Sequence, residues 1–356
     1  MSSLILEAGY ASEVLDHPNA DRMKIAVWKG WNCCVGLDFS TSTHCVYFQP
    51  DLLLPHELAE ELGVTAYLKV LGKDYPERER WAGRVSVARL RSVPSYGILA
   101  PVRPHWEPHL SNLADFLGVD KYSPPEKVTA GDSERDSVFF PRYTDIENLR
   151  NFPDTFEDGE HVLVTEKIHG TNCRIGICPE TDNPSSYEMM AGSHGVRRRK
   201  HLPESDKVSL YWKPLEWYPQ LENMINEVSQ FHEEPVIVYG EIYGSGVQDL
   251  AYGFMNKNMD FRVFDIKVGD KYVSYESVMS ICDEFDVPMV PILFNGPFSW
   301  EKMSDLAEGY TTMEGGHIRE GIVIRPWKET VELTGRKIRK LIGFGYLNRK
   351  GGTEDH

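Results

Sequence analysis

Residues 161–172, HVLVTEKIHGTN, are the stretch on which the assignment of the fold depends. Residues 162–164 are a short Val-Leu-Val run, which is typical of a buried strand. Lys167 comes where that strand would end, and Gly170 allows a close turn of the backbone after it. A lysine in this position can bind phosphate as a point charge, or act as a nucleophile when its amine is neutral. By itself the stretch also fits an ordinary strand end followed by a G-T-N turn.

Four later stretches follow this one in a distinctive order. They are VYGEIYG at 238–244, FRVFDI at 261–266, REGIVIRP at 319–326 and the basic segment RKIRK at 336–340. With KIHG at 167–170, they resemble the ordered motifs of the covalent nucleotidyltransferases, which include the ATP-dependent DNA and RNA ligases and the mRNA capping enzymes. The fuller EKIHGTN is similar to the version in the RNA ligase 2 type. The resemblance implies a ligase that forms a lysyl-adenylate.

That resemblance implies a role for each motif residue in the first step. Lys167 would attack the α-phosphorus of ATP, so that AMP becomes covalently bound to it and pyrophosphate leaves. The amine must be neutral to attack, and nearby cations favour that form. Glu241 would bind the ribose hydroxyls or a metal-bound water, and Glu320 would hold the metal, Mg²⁺ or Mn²⁺. Phe261 would stack on the adenine.

Further residues would bind the nucleotide or serve the later steps. Glu166 would lie near the adenine amino group, and Lys340, with Lys337, would bind the α-phosphate. On a continuous strand these two lysines lie on opposite faces, so only one of them points inward. A solvated basic strand is the alternative there. His169 and Asn172 would serve the later steps on the RNA ends, while a structural histidine is the alternative for the former.

The chain is predicted to be an α+β protein with two domains. Residues 1–105 have short β-patterned segments between turn-forming residues, as in a small barrel of the OB type. Within them, residues 17–22 and 89–97 resemble OB-type tRNA-binding domains. Residues 106–149 are predicted to be a linker with short helices, and residues 150–350 to be an antiparallel α+β nucleotidyltransferase domain. An N-terminal OB domain before a ligase domain is the arrangement of the RNA ligase 5 type.

Four helices are predicted from local patterns, one of them at residues 112–117 within the linker. Residues 144–152 have a capping-box spacing, with Thr144 and Glu147 three residues apart, and Pro153 would end that helix. Residues 218–231 have Pro219 in their first turn, which suits a helix start. Residues 274–285 have a mixed polar and apolar pattern that is also typical of a helix.

Composition limits the classes of protein that fit. The formal charge of −16 argues against a protein that coats nucleic acid without specificity, although a nucleic-acid enzyme remains compatible with it. No apolar run is long enough to cross a bilayer, and the first residues lack the basic start of a signal peptide. The six cysteines have no CxxC pair, which is typical of reduced thiols. An intracellular protein, cytoplasmic or nuclear and not secreted, is therefore expected.

The function that the resemblance implies is ATP-dependent RNA ligation, as in RNA repair. The partner would be RNA with 3′-OH and 5′-phosphate ends, in a nicked RNA duplex, an RNA–DNA hybrid or a broken tRNA, with no membrane and no obligate protein partner. A GTP-dependent capping guanylyltransferase is one alternative, although capping enzymes carry their OB domain after the catalytic domain. A non-catalytic RNA-binding protein is another, and the joint presence of Lys167, Glu241, Phe261 and Glu320 argues against it.

Overall fold

A computed structural model describes residues 6–123, 131–202, 207–256, 258–332 and 335–349. The chain divides into two compact units. Unit 1 contains Met1–Pro125, Glu147–Pro153 and Leu347–His356, and unit 2 contains Glu126–Ile146 and Asp154–Tyr346. Residues 124–130 of the predicted linker and residue 350 of the predicted ligase domain lie outside the described residues.

Unit 1 is built mainly from short strands with two helices. The strands are β1 Leu6–Gly9, β2 Glu13–Asp16, β3 Lys24–Trp28, β4 Trp31–Val35, β5 Cys45–Phe48, β6 Leu52–Pro55, β7 Trp81–Arg84, β8 Val87–Leu90, β9 Val93–Tyr96, β10 Ile98–Pro101, β11 Asp120–Lys121 and β12 Glu147–Asn148. The helices are α1 His56–Leu62 and α2 Leu113–Leu117. Strands β1–β11 form three antiparallel sheets of three strands, in the orders β1-β5-β10, β2-β3-β4 and β11-β6-β7, and a β8-β9 hairpin. Closure of these sheets into an OB-type barrel stays a prediction.

Unit 2 has longer strands and larger helices. Its strands are β13 His161–Lys167, β14 Thr171–Pro179, β15 Tyr187–Ser193, β16 Arg197–Arg198, β17 Val236–Gly244, β18 Met259–Val268, β19 Lys271–Tyr272, β20 Ile292–Pro297, β21 Gly321–Pro326, β22 Val331–Glu332, β23 Gly335–Arg336 and β24 Arg339–Ile342. Its helices are α3 Lys213–Trp217, α4 Pro219–His232, α5 Tyr275–Glu284, α6 Trp300–Ala307 and α7 Phe344–Leu347. The last residue of α7, Leu347, belongs to unit 1. Short 3₁₀ turns lie at Thr65–Tyr67, Arg78–Arg80, Glu107–Asn112, Pro153–Thr155 and Leu210–Trp212.

Two antiparallel sheets form the framework of unit 2. One has the order β16-β15-β14-β17-β18-β19, and the other carries β24, β21, β13 and β20 in that order. Leu163 of β13, Ile175 of β14 and Val238 of β17 belong to one hydrophobic cluster with residues of α4 and α5. Burial of this apolar surface is the main stabilising contribution to the unit. The motif strands β13, β17 and β18 therefore share a single core, and β21 is joined to them by its pairing with β13.

The predicted α+β class with antiparallel sheets is confirmed, and strand β13 contains the apolar run at residues 162–164. Three of the four predicted helices are also present, as α2, α4 and α5. Helix α4 begins at Pro219, and the side chain of Ser274 caps α5 by accepting a hydrogen bond from the Ser277 N–H. No described helix is long and apolar enough to span a membrane.

The helix predicted for residues 144–152 is wrong. Strand β12 lies at Glu147–Asn148, and turns follow it. The side chain of Asn148 accepts a hydrogen bond from the Arg150 N–H two residues later. Such a local bond competes with helix formation, and here residues 144–152 do not form a helix despite the capping-box spacing.

The continuous basic strand predicted for residues 336–340 is also wrong. The chain forms β23, then a tight turn at Lys337 and Ile338, then β24. In that turn the Ile338 N–H donates to the carbonyl oxygen of Arg336 at 2.9 Å. The simple alternation of faces that a strand would impose on Lys337 and Lys340 therefore does not apply.

Candidate active site

Lys167 lies at the end of β13, directly opposite Gly321 of β21. Its Nζ is 2.6 Å from Oε1 of Glu320, the residue just before β21. The Glu320 side chain is fully buried, whereas that of Lys167 is 24% exposed. The pairing of β13 with β21 thus places a reachable amine against a buried carboxylate.

Glu241 of β17 is a second carboxylate at the same place. Burial raises its pKa to about 8, the charge of Lys167 and the Gly170 N–H act in the opposite direction, and Glu320 adds to the rise. Gly170 is closely packed here, since a Cβ on it would lie 2.2 Å from the carbonyl oxygen of Ile242. One amine and two carboxylates therefore meet at the turn that follows β13.

Asn172 is placed beside this group by the pairing of β14 with β17. It lies directly opposite Glu241 in that antiparallel pair. Directly opposed residues project from the same face of a sheet, about 5 Å apart. The structure therefore brings together Lys167, Glu241, Glu320 and Asn172 from four separate segments.

His169 is buried and bonded on three sides. Its Nε2 lies 2.6 Å from Oδ1 of Asp249, and its Nδ1 lies 3.0 Å from the hydroxyl of Tyr346. Its backbone N–H donates to the hydroxyl of Tyr252 at 2.7 Å. None of these three partners is predictable from the sequence, because no motif spacing marks them. In this position the imidazole holds the turn, and its predicted service to RNA ends stays a prediction.

Glu166 is buried on the opposite face of β13 from Lys167. Its carboxylate accepts hydrogen bonds from the Thr311 hydroxyl at 2.5 Å, and from the Thr312 hydroxyl and N–H at 2.7 and 2.9 Å. Nε of Arg319 is 3.5 Å away. No sequence motif marks these threonines. An adenine amino group that bound Glu166 would add to these hydrogen-bond donors or replace one of them. The predicted contact of Glu166 with adenine stays a prediction.

Phe261 of β18 is fully buried in the hydrophobic cluster of unit 2. Its ring packs on Gly240, where an added Cβ would come within 2.3 Å of ring carbons. In this structure the ring presents no exposed face to a base. Its predicted stacking on adenine would need neighbouring groups to move, and the structure gives that role no direct support.

The two candidate phosphate-binding lysines differ in their surroundings. Lys340 lies opposite Val323, which in turn lies opposite Thr165, so alternation places its side chain on the same sheet face as Lys167. Lys337 instead has its Nζ 2.8 Å from a carboxylate oxygen of Glu160. Lys340 is therefore the better placed of the two.

Two of the four basic residues at 197–200 form ion pairs with acidic side chains. Arg197 pairs with Glu134 at 3.0 Å and with Glu188 at 2.9 Å, and Arg198 pairs with Asp132 at 2.8 Å. These ion pairs connect β16 to neighbouring segments. Arg199 and Lys200, in contrast, are exposed.

Metal binding would depend on the two carboxylates beside Lys167. Among residues 6–123, 131–202, 207–256, 258–332 and 335–349, no group of three or more His, Cys, Asp or Glu side chains is arranged to hold a metal ion. Mg²⁺ is commonly held by one or two carboxylates together with substrate phosphates and water. Glu241 and Glu320 meet that requirement.

The sequence profile of the RNA ligase family matches residues 160–342, slightly more than half of the chain. The chain belongs to the RNA ligase family. The matched region runs from the start of β13 to the end of β24, so it contains Lys167, Glu241, Glu320 and Lys340. A search of curated proteins found no match.

Solved structures of Naegleria gruberi RNA ligase are similar to this chain in fold. One apo variant has a TM-score of 0.76 at 21% identity, over 98% of this chain and 99% of that one. A variant with ATP and Mn has a TM-score of 0.75 at 22% identity, with the same coverage. A variant with AMP and Mn has a TM-score of 0.74 at 21% identity, again over 98% and 99%. The likeness extends over nearly the whole of both chains.

Proposed function

We propose that this protein is an ATP-dependent RNA ligase that joins a 3′-OH to a 5′-phosphate through a lysine–AMP intermediate on Lys167. The observation that carries the proposal is the amine of Lys167 lying 2.6 Å from buried Glu320, at the end of β13, in a chain of the RNA ligase family. The similar structures that hold ATP or AMP with Mn support the choice of nucleotide and metal.

In the first step Lys167 Nζ attacks the α-phosphorus of ATP. A nitrogen–phosphorus bond forms, the bond to the β-phosphate oxygen breaks, and the amine loses a proton as pyrophosphate leaves. Before the attack, Glu320 holds the amine in place, which reduces the orientational freedom that the reaction must otherwise restrict. Lys340 projects from the same sheet face and would stabilise negative charge on the α-phosphate.

A divalent cation fits the carboxylates at this site. Glu241 has a pKa raised to about 8 by burial, and a cation held by Glu241 and Glu320 would favour the charged form of both. When bound, the metal would neutralise charge on the phosphate oxygens. The chain's own contribution is to hold the two carboxylates and the amine of Lys167 together.

In the second and third steps, AMP passes from Lys167 to the 5′-phosphate of an RNA strand, and the neighbouring 3′-OH displaces it. Asn172, opposite Glu241, would contact the RNA end or the nucleotide there. We propose that residues 1–105 act as an OB-like domain that contacts the RNA around the nick, that residues 150–350 are the catalytic domain, and that the substrate is a nick in an intracellular duplex.

The proposal is tested with a nicked RNA duplex carrying a labelled 5′-phosphate at the nick. ATP with Mg²⁺ or Mn²⁺ should give the joined strand, with adenylylated RNA as a transient species. Lys167→Ala should give neither from ATP, yet it should join a strand that is already adenylylated, because that step no longer needs the nucleophile. Use of GTP with transfer to a 5′-diphosphate end would favour capping, and RNA binding without any product would favour a non-catalytic scaffold.

A further inference from the structure

The segment that follows β17 reaches back to the turn that carries the nucleophile. Residues 248–252, here called the clamp segment, make three hydrogen bonds to this turn. The side-chain amide of Gln248 donates to the carbonyl oxygen of Gly170 at 3.3 Å. Tyr252 accepts from the His169 N–H at 2.7 Å, and Asp249 lies 2.6 Å from His169 Nε2. Both the backbone and the side chain of the turn are therefore held by one segment.

The clamp segment has a firm anchor at one end. Tyr252 is 2% exposed, and its ring packs edge-on against His317 at 4.4 Å and against Tyr243 at 5.1 Å between ring centres. The Asp249 side chain, in contrast, is 53% exposed. Because Asp249 is largely solvated, its carboxylate contributes little to core packing. Its bond to buried His169 therefore has a role other than stabilising the core.

Two further contacts connect the bond between Asp249 and His169 to the nucleophile, Lys167. His169 Nδ1 lies 3.6 Å from Oε2 of Glu320, and the other oxygen of Glu320 lies 2.6 Å from Lys167 Nζ. The orientation that Asp249 gives to the imidazole ring therefore limits where the Glu320 carboxylate can lie. Partners of this kind, which act through the groups that contact the reaction centre, commonly decide how well a site is aligned.

We propose that the clamp segment is a positioning element for Lys167, in which Asp249 acts through His169 and Glu320 and Tyr252 acts through the backbone of the turn. Neither residue is catalytic in this account, since neither touches the reacting atoms. Attack on phosphorus needs the amine about 3 to 3.5 Å from its target and in line, and small misplacements are costly. The inference rests on the proposed function, because it concerns formation of the lysine–AMP intermediate.

The test measures formation of the lysine–AMP intermediate in a single turnover with full-length protein, over a range of ATP concentrations. Asp249→Ala should lower the limiting rate constant by about 10- to 100-fold. The half-saturating ATP concentration should stay within about twofold, because the positioning acts on the reaction rather than on nucleotide binding. Asp249→Asn keeps an acceptor oxygen and should recover much of the rate, and Tyr252→Phe should be slow in the same manner.

Two controls separate positioning from a general loss of structure. Asp270→Ala removes an exposed carboxylate from the turn between β18 and β19, and it should label at the wild-type rate. Joining of a pre-adenylylated strand bypasses Lys167, so Asp249→Ala should retain far more of that activity than of its labelling activity. A variant that had merely lost its fold would lose both activities together and would show a lowered melting temperature.

The outcomes distinguish this inference from the proposed function. If the wild type forms no lysine–AMP, both fail. If the wild type labels and Asp249→Ala labels equally fast, only the positioning role fails. The positioning role also fails if Asp249→Ala and Asp249→Asn lose labelling and strand joining to the same degree. It fails likewise if Asp249→Ala raises only the half-saturating ATP concentration and leaves the limiting rate constant unchanged.

Discussion

Glu241 should make the stability of the folded protein depend on pH in an unusual direction. Burial raises its pKa from an ordinary value of 4.5 to about 8, with a contribution from the charge of Glu320. The folded protein therefore binds this proton more tightly than the unfolded chain does. Its contribution to stability is complete below about pH 4.5 and is lost as the pH rises towards 8.

The size of the effect follows from the size of the rise. Each tenfold change in proton affinity is 1.36 kcal/mol, so the whole rise corresponds to about 5 kcal/mol. Solvent screening at this partly buried side chain makes that figure an upper limit. Glu241→Gln places a neutral side chain of the same shape there. The stability of this variant relative to wild type should therefore increase between pH 5 and pH 8 and level off above pH 8.

The assay is unfolding in urea at several values between pH 5 and pH 9, with wild type, Glu241→Gln and Glu222→Gln. Glu222 is exposed on α4, so the last variant should follow the wild type at every pH. Mn²⁺ should flatten the pH dependence of the wild type and leave that of Glu241→Gln unchanged, because a bound cation favours the charged carboxylate. A stability difference between wild type and Glu241→Gln that stays constant over this range would contradict a raised pKa of Glu241 in the folded protein.

Three further predictions concern other positions. Gly170→Ala should reduce lysine–AMP formation by about 100-fold, because its Cβ would meet a backbone oxygen at 2.2 Å and displace the turn; Gly36→Ala, with open space around it, is the control in the same labelling assay. Asp265→Ala should cost about 3–5 kcal/mol in urea unfolding, because it leaves two buried arginines without their shared carboxylate; an unchanged midpoint would contradict this. Lys340→Ala should slow lysine–AMP formation by about 100- to 1,000-fold, whereas Lys337→Ala, which loses an ion pair to Glu160, should change the rate far less; equal rates for the two variants would reverse the assignment.

The parts of the fold that the sequence predicted are those that local patterns determine. Strand β13 follows from an apolar run of β-favouring residues, and helix α4 follows from a proline at its first position and a periodic apolar face. The capping-box spacing at Thr144 and Glu147 was misleading, because the Asn148 side chain forms a competing local hydrogen bond. Patterns of this kind indicate which structures are possible, and neighbouring groups decide among them.

The candidate site was predictable only where a motif carries it. Lys167, Glu241 and Glu320 come together in the structure as the resemblance implied. Asp249 and Tyr252 lie about 80 residues beyond His169 along the chain, and their sequence context resembles an ordinary loop. Their contact with the turn depends on how β14, β17 and β18 pair, which no local pattern records. The burial of Phe261 likewise follows from tertiary packing.

The proposed function depends on a covalent bond between Lys167 and AMP. The most direct measurement is incubation of the protein with α-labelled ATP and Mg²⁺ or Mn²⁺, followed by denaturation, with Lys167→Ala as control. The label on the wild type should survive denaturation and be released by acid, as a phosphoramidate would be, and the variant should carry none. Label on both proteins, or on neither with either metal, would contradict a covalent bond between Lys167 and AMP.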